Sequence, residues 1–165
     1  MEIAVKNCQR SIKINPGSIK RVLESAIRHL SSGKRIRGRN LASGVSFDPA
    51  KAVVSVLLVG DRRMREMNMA YRSIYRTTDV LSFSQLEGPL SQHVLAELGD
   101  IVISPAQAKR QAGERGTTFD QELALLLLHG LLHLMGYDHE KNRYQAAKMR
   151  EKETELLNAI QKVVR

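Results

Sequence analysis

Hydrophobic and polar positions along the first third of the chain change between the periods of strands and helices. The stretch Glu2-Ile-Ala-Val-Lys6 alternates, which predicts a short strand at the edge of a sheet. Pro16 opens a segment whose apolar residues recur three and four apart as far as Leu30, as in an amphipathic helix. Residues 52–59 are almost continuously apolar, and this run predicts a strand that is buried on both faces.

The rest of the chain continues to interleave strands with helices. The predicted elements are a helix capped by Asp61, strands over 79–84 and 100–104, a helix that opens at Pro105 and ends near Gly113 or Gly116, a helix capped by Thr118 or Asp120, and a charged helix over 141–163. Four strands interleaved with helices predict an α/β or α+β sheet, although periodicity does not fix the strand order. Residues 1–165 show no internal repeat or boundary and are expected to form one domain.

The helix predicted after residue 120 is apolar almost all round and should therefore be buried. Two of its few polar side chains are His129 and His133, which lie four residues and ~40° apart on one face of a helix. Gly136 permits the helix to end, and His139 follows. Burying imidazoles is costly unless something satisfies them. We interpret the three histidines as ligands of one Zn²⁺ ion, with a fourth position open to water as in catalytic sites.

This interpretation has alternatives. The histidines could serve packing and the protein surface, and three imidazoles also suit nickel, copper or iron. A purely structural zinc normally has four protein ligands, of which Cys8 could supply the fourth. The histidine spacing is that of metzincin proteases, but Gly130 stands where those enzymes carry the glutamate that acts as general base. The spacing therefore permits a zinc peptidase, and Gly130 argues against it.

The string from His129 to His139 instead resembles the signature of the YbeY family, the bacterial rRNA-maturation endoribonucleases. Two upstream segments are also similar to that family. They are Met67-Asn68-Met-Ala-Tyr71-Arg72 leading to Thr78-Asp79-Val-Leu-Ser-Phe83, and Leu98-Gly99-Asp100-Ile-Val-Ile-Ser104. The resemblance runs from about residue 53 to 140. It implies an α+β fold in which a small four-stranded mixed sheet packs against helices, with a buried central helix that carries the metal-binding histidines.

The resemblance also implies a function. It predicts a zinc-dependent endoribonuclease that prefers single-stranded RNA and acts on the small ribosomal subunit, in 16S rRNA 3′-end maturation and ribosome quality control. His129 is then both a metal ligand and part of the catalytic site. Arg72 matches an arginine treated as functional in the family, and a guanidinium is suited to hold a phosphate with two hydrogen bonds. Without the resemblance, Arg72 would be interpreted as part of a solvated helix face.

Two other classes of function stay open from the sequence. One is a zinc metallopeptidase or another zinc hydrolase, which the histidine spacing permits. The other is a ribosome assembly factor whose metal is structural. The general base is not identified by any motif, because a metal-activated water could suffice.

Several further residues have weaker predictions attached. Asp138 could be a hydrogen-bond partner of a ligand histidine, an acceptor in the turn or a general base. Glu122 is interpreted as a charge at a helix start. Many family members carry a further histidine where this chain has Leu125, so no role of that histidine is transferred. The segments around Asp79 and Gly99 are expected to shape the cleft rather than to act in catalysis.

Charge and composition limit the partners. The formal charge of +9 favours a polyanion, and the scarcity of aromatic residues favours phosphate contacts over a platform that stacks several bases. Residues 33–39 form a basic loop that either is solvated or binds phosphate. No apolar run reaches 18 residues, no secretory signal is recognisable, and a lone cysteine suits a reducing compartment. These features predict a cytoplasmic protein without a membrane partner, and they leave the oligomeric state undetermined.

Overall fold

The computed structural model describes residues 1–31, 36–37, 46–47, 49–85, 97–138 and 142–161. Its elements in chain order are β1 (Glu2–Asn7), α1 (Pro16–Ser31), β2 (Ile36–Arg37), β3 (Ser46–Phe47), a 3₁₀ turn (Pro49–Lys51), β4 (Val53–Leu58), α2 (Asp61–Arg72), β5 (Val80–Ser84), β6 (Glu97–Ile103), α3 (Pro105–Arg115), α4 (Phe119–Leu134) and α5 (Arg143–Ile160). None of the helices within these ranges has the length and hydropathy that crossing a membrane requires.

The strands β1, β4, β6 and β5 form a four-stranded sheet in that order. The first three strands are parallel, and β5 pairs with β6 in the antiparallel direction, so that β1 and β5 lie at opposite edges. The short β2 and β3 form a separate antiparallel pair. The predicted α+β class, the four-stranded mixed sheet and the edge position of the first strand are confirmed.

Helices cover the two faces of this sheet unequally. On one face, α4 packs with α1 and α5 over the large core, which includes Val54, Val56 and Ile101. On the other face, α2 forms a smaller cluster around Met64 and Leu81. The prediction that β4 is buried on both faces is therefore wrong in part. The face towards α4 is fully buried, and the face towards the short α2 is only half-buried.

Asp61 does not cap α2 as predicted, because Gly60 occupies the N-cap position and Asp61 is the first helical residue. Its carboxylate instead accepts a hydrogen bond from the Ser104 hydroxyl at 2.8 Å and pairs with Arg110 at 2.9 Å. The Arg110 guanidinium holds the pKa of this carboxyl below its usual 3.8. The aspartate thus ties the start of α2 to the start of α3 rather than closing its own helix end.

The other helix boundaries follow the predicted signals closely. Helix α3 continues through Gly113 and ends at Gly116, whose φ of 66° is the left-handed conformation that glycine favours. Thr118 caps α4 through a capping box with Gln121.

Strand β6 begins three residues before the predicted strand. Within it, Gly99 has a φ of 132°, and a Cβ at this position would collide with the carbonyl oxygen of Phe83.

Helix α4 lies unusually close to the sheet at Gly130. A Cβ on Gly130 would stand 2.8 Å from Cγ2 of Ile101 and 3.2 Å from the Ser82 hydroxyl. The residue is fully enclosed between the helix and strands β5 and β6, so it faces the sheet. The glutamate that metzincins carry at the equivalent place would have no room here. The absence of that side chain therefore has a packing reason in this fold.

This close approach makes a stability prediction. Gly130→Ala should lower the free energy of unfolding by about 1–2 kcal/mol, because overpacking outweighs the gain in helix propensity. The matched control is Gly113→Ala, which places the same methyl group inside α3 where no atom lies within 4 Å. That variant should gain about 0.5–1 kcal/mol. Urea unfolding of both variants provides the measurement. Equal stabilities would show that α4 has room to move away from the sheet.

Candidate metal centre and active-site cleft

One stripe of α4 escapes burial, and it carries the predicted histidines. Leu125, His129 and His133 recur every four residues and are partly exposed, whereas the leucines around them are buried in the core. The buried leucines fix the rotation of the helix, because any other rotation would expose them. The two imidazoles therefore project from the one side of α4 that faces away from the core.

The two imidazoles approach each other closely. Their Nε2 atoms are 3.1 Å apart, and the ring planes meet at 71° with centroids 4.7 Å apart. Two nitrogen ligands at ~2.0–2.1 Å from one tetrahedral zinc ion would lie about 3.3 Å apart. The pair thus has the donor atoms and the separation that two zinc ligands need, without rearrangement of the helix.

Glu153 on α5 holds the other nitrogen of His129. Its carboxylate lies 2.5 Å from Nδ1, and the two side chains are only 16% and 26% exposed. An ionised carboxylate can only accept, so it places the imidazole proton on Nδ1 and leaves the Nε2 lone pair directed at His133. Metal-ligating histidines generally have such a partner. The chemistry of this donor set therefore fits a zinc ion.

Glu153 was not identified from the sequence. A ligand histidine generally needs such a partner, and Asp138 was the residue predicted for this role. Glu153 lies 24 residues after His129, among other acidic residues of a charged helix such as Glu151 and Glu155. Periodicity alone does not distinguish these carboxylates. The packing of α5 against α4 selects one of them.

The third predicted ligand, His139, lies outside the described residues, so its assignment stays a prediction. Among the residues that are described, no three histidine, cysteine or carboxylate side chains converge on one point. Cys8 is exposed and follows β1, at the sheet edge opposite β5. Three strand spacings, or roughly 14 Å, separate these edges. Cys8 is therefore not placed to complete the site, contrary to the alternative that the sequence left open.

A cavity of about 800 Å³ opens beside the histidine pair. It lies between the exposed stripe of α4 and the edge strand β5, and the last turn of α2 forms its rim. Arg72 lines this cavity together with His129 and His133, as the functional interpretation of Arg72 requires. Asp138 lines it as well, next to the end of α4. Cationic, imidazole and carboxylate groups thus share one cleft.

The turn that follows α2 explains why Arg72 has a defined place. Asn68 is buried and donates a hydrogen bond from Nδ2 to the carbonyl oxygen of Arg76 at 2.9 Å. Ser73 ends the helix in the left-handed conformation with a φ of 57°. The ring of Tyr71 packs edge-on against Phe83 of β5, with centroids 4.7 Å apart. The segment from Asn68 to Arg76 therefore builds the corner that presents Arg72 to the cleft.

Glu122 is more than the helix-start charge that the sequence indicated. It lies in the first turn of α4 but is 2% exposed, and its carboxylate contacts Nη1 of Arg115 at 2.6 Å. Arg115 is half-exposed and lines the same cavity at the end away from His133. A buried carboxylate requires such a partner. The pair joins α3 to α4 and places a second guanidinium in the cleft.

The Asp79 side chain makes contacts at the entry of β5. The Asp79 carboxylate accepts hydrogen bonds from the backbone of Val80 at 2.8 Å and from the Gln111 side chain at 3.0 Å. These contacts fix the entry of β5 against α3. The basic segment 33–39 lies outside the described residues apart from the backbone of the two-residue β2, so its phosphate-binding role stays a prediction.

Comparison with known proteins identifies relatives along nearly the whole chain. The family model for Endoribonuclease YbeY matches residues 4–161. Proteins named Endoribonuclease YbeY are similar to this chain in Thermodesulfovibrio yellowstonii, with 38% identity over 97% of this chain and 99% of that protein, and in Symbiobacterium thermophilum, with 39% identity over 97% of each.

A solved structure is similar as well. The solution structure of a protein from Thermotoga maritima superposes with a TM-score of 0.59 and 25% sequence identity, covering 96% of this chain and 88% of the other. The shared fold extends over all the elements that form the cleft.

The contact between Glu153 and His129 predicts an effect on metal binding. Glu153→Ala should weaken zinc affinity about 10–100-fold, because the Nδ1 proton and the ring orientation lose their support. The zinc affinity of Glu153→Gln should lie between those of the wild type and Glu153→Ala, since the amide oxygen still accepts a hydrogen bond. Competition with a chelator measures affinity, and imidazole ¹⁵N shifts report the tautomer. Glu151→Ala, an exposed change on the same helix, is the control. Wild-type zinc affinity in Glu153→Ala would contradict the assigned contact.

Proposed function

The chain belongs to the YbeY endoribonuclease family, and we propose that it is a zinc-dependent endoribonuclease that cleaves single-stranded RNA in 16S rRNA 3′-end maturation and ribosome quality control. The endoribonuclease activity and the role in rRNA processing follow from family membership. The observation that supports a metal-dependent reaction is that two imidazoles lie 3.1 Å apart in a cleft that also contains Arg72. The substrate position and the metal are our proposals.

We propose that His129, His133 and His139 hold one zinc ion. The separation of the first two Nε2 atoms and the carboxylate on Nδ1 of His129 support this assignment. His139 follows α4 within six residues of His133, across a turn in which Gly136 has a φ of 85°. When bound, zinc supplies Lewis-acid chemistry that makes water more acidic and polarises a phosphoryl oxygen. The protein residues then have to bring the phosphate to that point and hold it there.

Arg72 is the residue proposed to position the phosphate. It is exposed in the last turn of α2 and lines the cleft that contains the histidine pair. A planar guanidinium can hold two phosphate oxygens at once and offsets the charge that builds up in the transition state. The Nδ1–H group of His129 donates a hydrogen bond to the Glu153 carboxylate, which keeps the imidazole proton on Nδ1. The chain thus selects the tautomer of His129 before RNA arrives.

The small ribosomal subunit is the proposed partner, and the cytoplasm is the proposed place of action. The net charge of +9 supports binding to a polyanion, and Arg72 and Arg115 bring two of these charges into the cleft. The metallopeptidase alternative has no support from the relatives, which are named as endoribonucleases. The close packing at Gly130 also leaves no room for the glutamate of that mechanism. A structural metal in an assembly factor lacks support in the same way.

The first test concerns the metal. The purified protein should bind about one zinc ion, and His133→Ala should lose it together with RNA cleavage. His29→Ala is the control, because His29 lies on α1 and pairs with Glu155. Imidazoles must be neutral to bind zinc, so zinc occupancy should fall as the solution is made acidic. Elemental analysis across pH gives the measurement. Full zinc occupancy in His133→Ala would show that the ligands are elsewhere.

The second test concerns Arg72. Arg72→Ala should reduce cleavage of single-stranded RNA by roughly 10²–10³, equivalent to about 3–4 kcal/mol of lost transition-state stabilisation. Arg72→Lys should restore part of the rate, because an ammonium keeps the charge without the two-pronged contact. Arg62→Ala serves as the control, since Arg62 is a solvated arginine of the same helix that pairs with Glu66.

Zinc content and thermal melts of these variants separate chemistry from folding. The proposal requires that Arg72→Ala stay folded and keep its metal while cleavage is lost. If cleavage falls only in proportion to a loss of folded protein, Arg72 has a structural role. Wild-type cleavage by a folded Arg72→Ala would remove it from the active site.

A further inference from the structure

The last turn of α2 presents an aromatic ring to solvent at the rim of the cleft. Tyr71 is 65% exposed and lines the same cavity as Arg72 and the histidine pair. Most large apolar side chains in the described residues are buried in one of two clusters. Near Tyr71 in the sequence, however, Met69, Ile74 and Tyr75 are exposed as well. Exposed aromatic surface concentrated beside a functional cleft indicates a binding surface.

The Tyr71 ring is held in place although it is exposed. Its edge packs against Phe83 at a centroid distance of 4.7 Å and an interplanar angle of 61°. Phe83 is itself half-buried and packs against the cluster that includes Leu81. An aromatic side chain has few rotatable bonds, so a ring that is already supported loses little further freedom on binding. Tyr71 therefore offers a preformed flat surface at the cleft rim.

We propose that Tyr71 stacks against one unpaired base of the RNA substrate, next to the phosphate at Arg72. The proposal rests on the proposed function and adds a base-binding position to it. Tyr71 and Arg72 are consecutive residues that line one cavity, and a nucleotide carries its base and its phosphate within the reach of two such neighbours. Every base has a π-face, so this contact tolerates any sequence.

A stacking position of this kind also gives a reason for preferring single strands. A base in a duplex has both faces covered by its neighbours, whereas an unpaired base can be turned out and placed on an aromatic ring. Besides the two histidines proposed as metal ligands, Tyr71 and Phe83 are the aromatic residues among the described residues that line the cavity, and Phe83 is the less exposed of the two. The cleft thus has room for one stacked base rather than a platform for several.

The test uses a short single-stranded RNA whose cleavage site by the zinc-loaded wild-type protein has first been mapped. A series of RNAs then carries one abasic nucleotide at each position around that site. Tyr71→Ala should weaken RNA binding roughly 5- to 150-fold, the range found when a stacking aromatic is removed. Tyr71→Phe should keep wild-type binding, because stacking does not need the hydroxyl. Tyr71→Leu should behave like alanine, since it retains apolar bulk but has no ring.

The abasic series is the decisive measurement. The wild-type protein should bind RNA more weakly by a similar factor when one particular position of the RNA is abasic. Tyr71→Ala should bind that abasic RNA as tightly as it binds the intact RNA, because the stacked pair is already absent. Tyr144→Ala is the matched control: Tyr144 is 71% exposed on α5 and is not among the described residues that line the cavity. It should retain the wild-type response to every abasic RNA. Binding to paired RNA should change little in any variant.

The outcomes separate this inference from the proposed function. If wild type cleaves RNA and Tyr71→Ala shows the same binding and the same abasic profile, the stacking position is wrong and the endoribonuclease proposal stands. If wild type neither binds nor cleaves RNA, both proposals fail. If Tyr71→Leu binds like wild type, the exposed patch has no stacking role. A retained thermal melt and zinc content in each variant shows that binding, not folding, has changed.

Discussion

The approach of α4 to the sheet at Gly130 is the contact on which the rest of the site depends. The space there excludes even a Cβ, because Ile101 and Ser82 fill it. This contact, together with the surrounding leucines, fixes both the rotation and the height of the helix over β5 and β6. The stripe with His129 and His133 consequently faces the cleft at the sheet edge. A shift of the helix away from the sheet would move both imidazoles relative to Arg72.

Two polar side chains of α4 contact neighbouring helices, and each contacts a different helix. Glu122 pairs with Arg115 at the end of α3, and His129 contacts Glu153 of α5. Removing Arg115 would leave the buried Glu122 carboxylate without its ion-pair partner, which is costly in a core of low polarity. Removing Glu153 would take away the carboxylate that contacts Nδ1 of the partly exposed His129. Packing and site chemistry are thus coupled. The contacts that α4 makes with its neighbours also select the tautomer of His129 and direct Arg115 to the cleft.

The cleft combines features that suit a polyanionic substrate with a short reactive segment. Two guanidinium groups and the imidazole pair line the cleft, and an exposed tyrosine lines it as well. The carboxylates in the cleft are largely occupied within the protein, Glu153 by His129 and Asp79 by Gln111 and Val80. These hydrogen bonds hold both carboxylates in fixed positions at the cleft, although the neutral donors do not cancel their charge.

The sequence by itself determined the five helices, the four strands of the main sheet, the spacing of His129 and His133 and the family, because these depend on short-range patterns, but it predicted a loop where the short strand β2 lies. Periodicity reports which side of a helix is apolar, and a four-residue spacing on a helix has one geometric meaning. The sequence did not identify Glu153 as the partner of His129, the burial of Glu122 or the exposure of Tyr71. Each of these depends on which elements pack together across long sequence separations. Only the tertiary structure selects one carboxylate from a charged helix, and only it brings the end of α2 beside the histidines of α4.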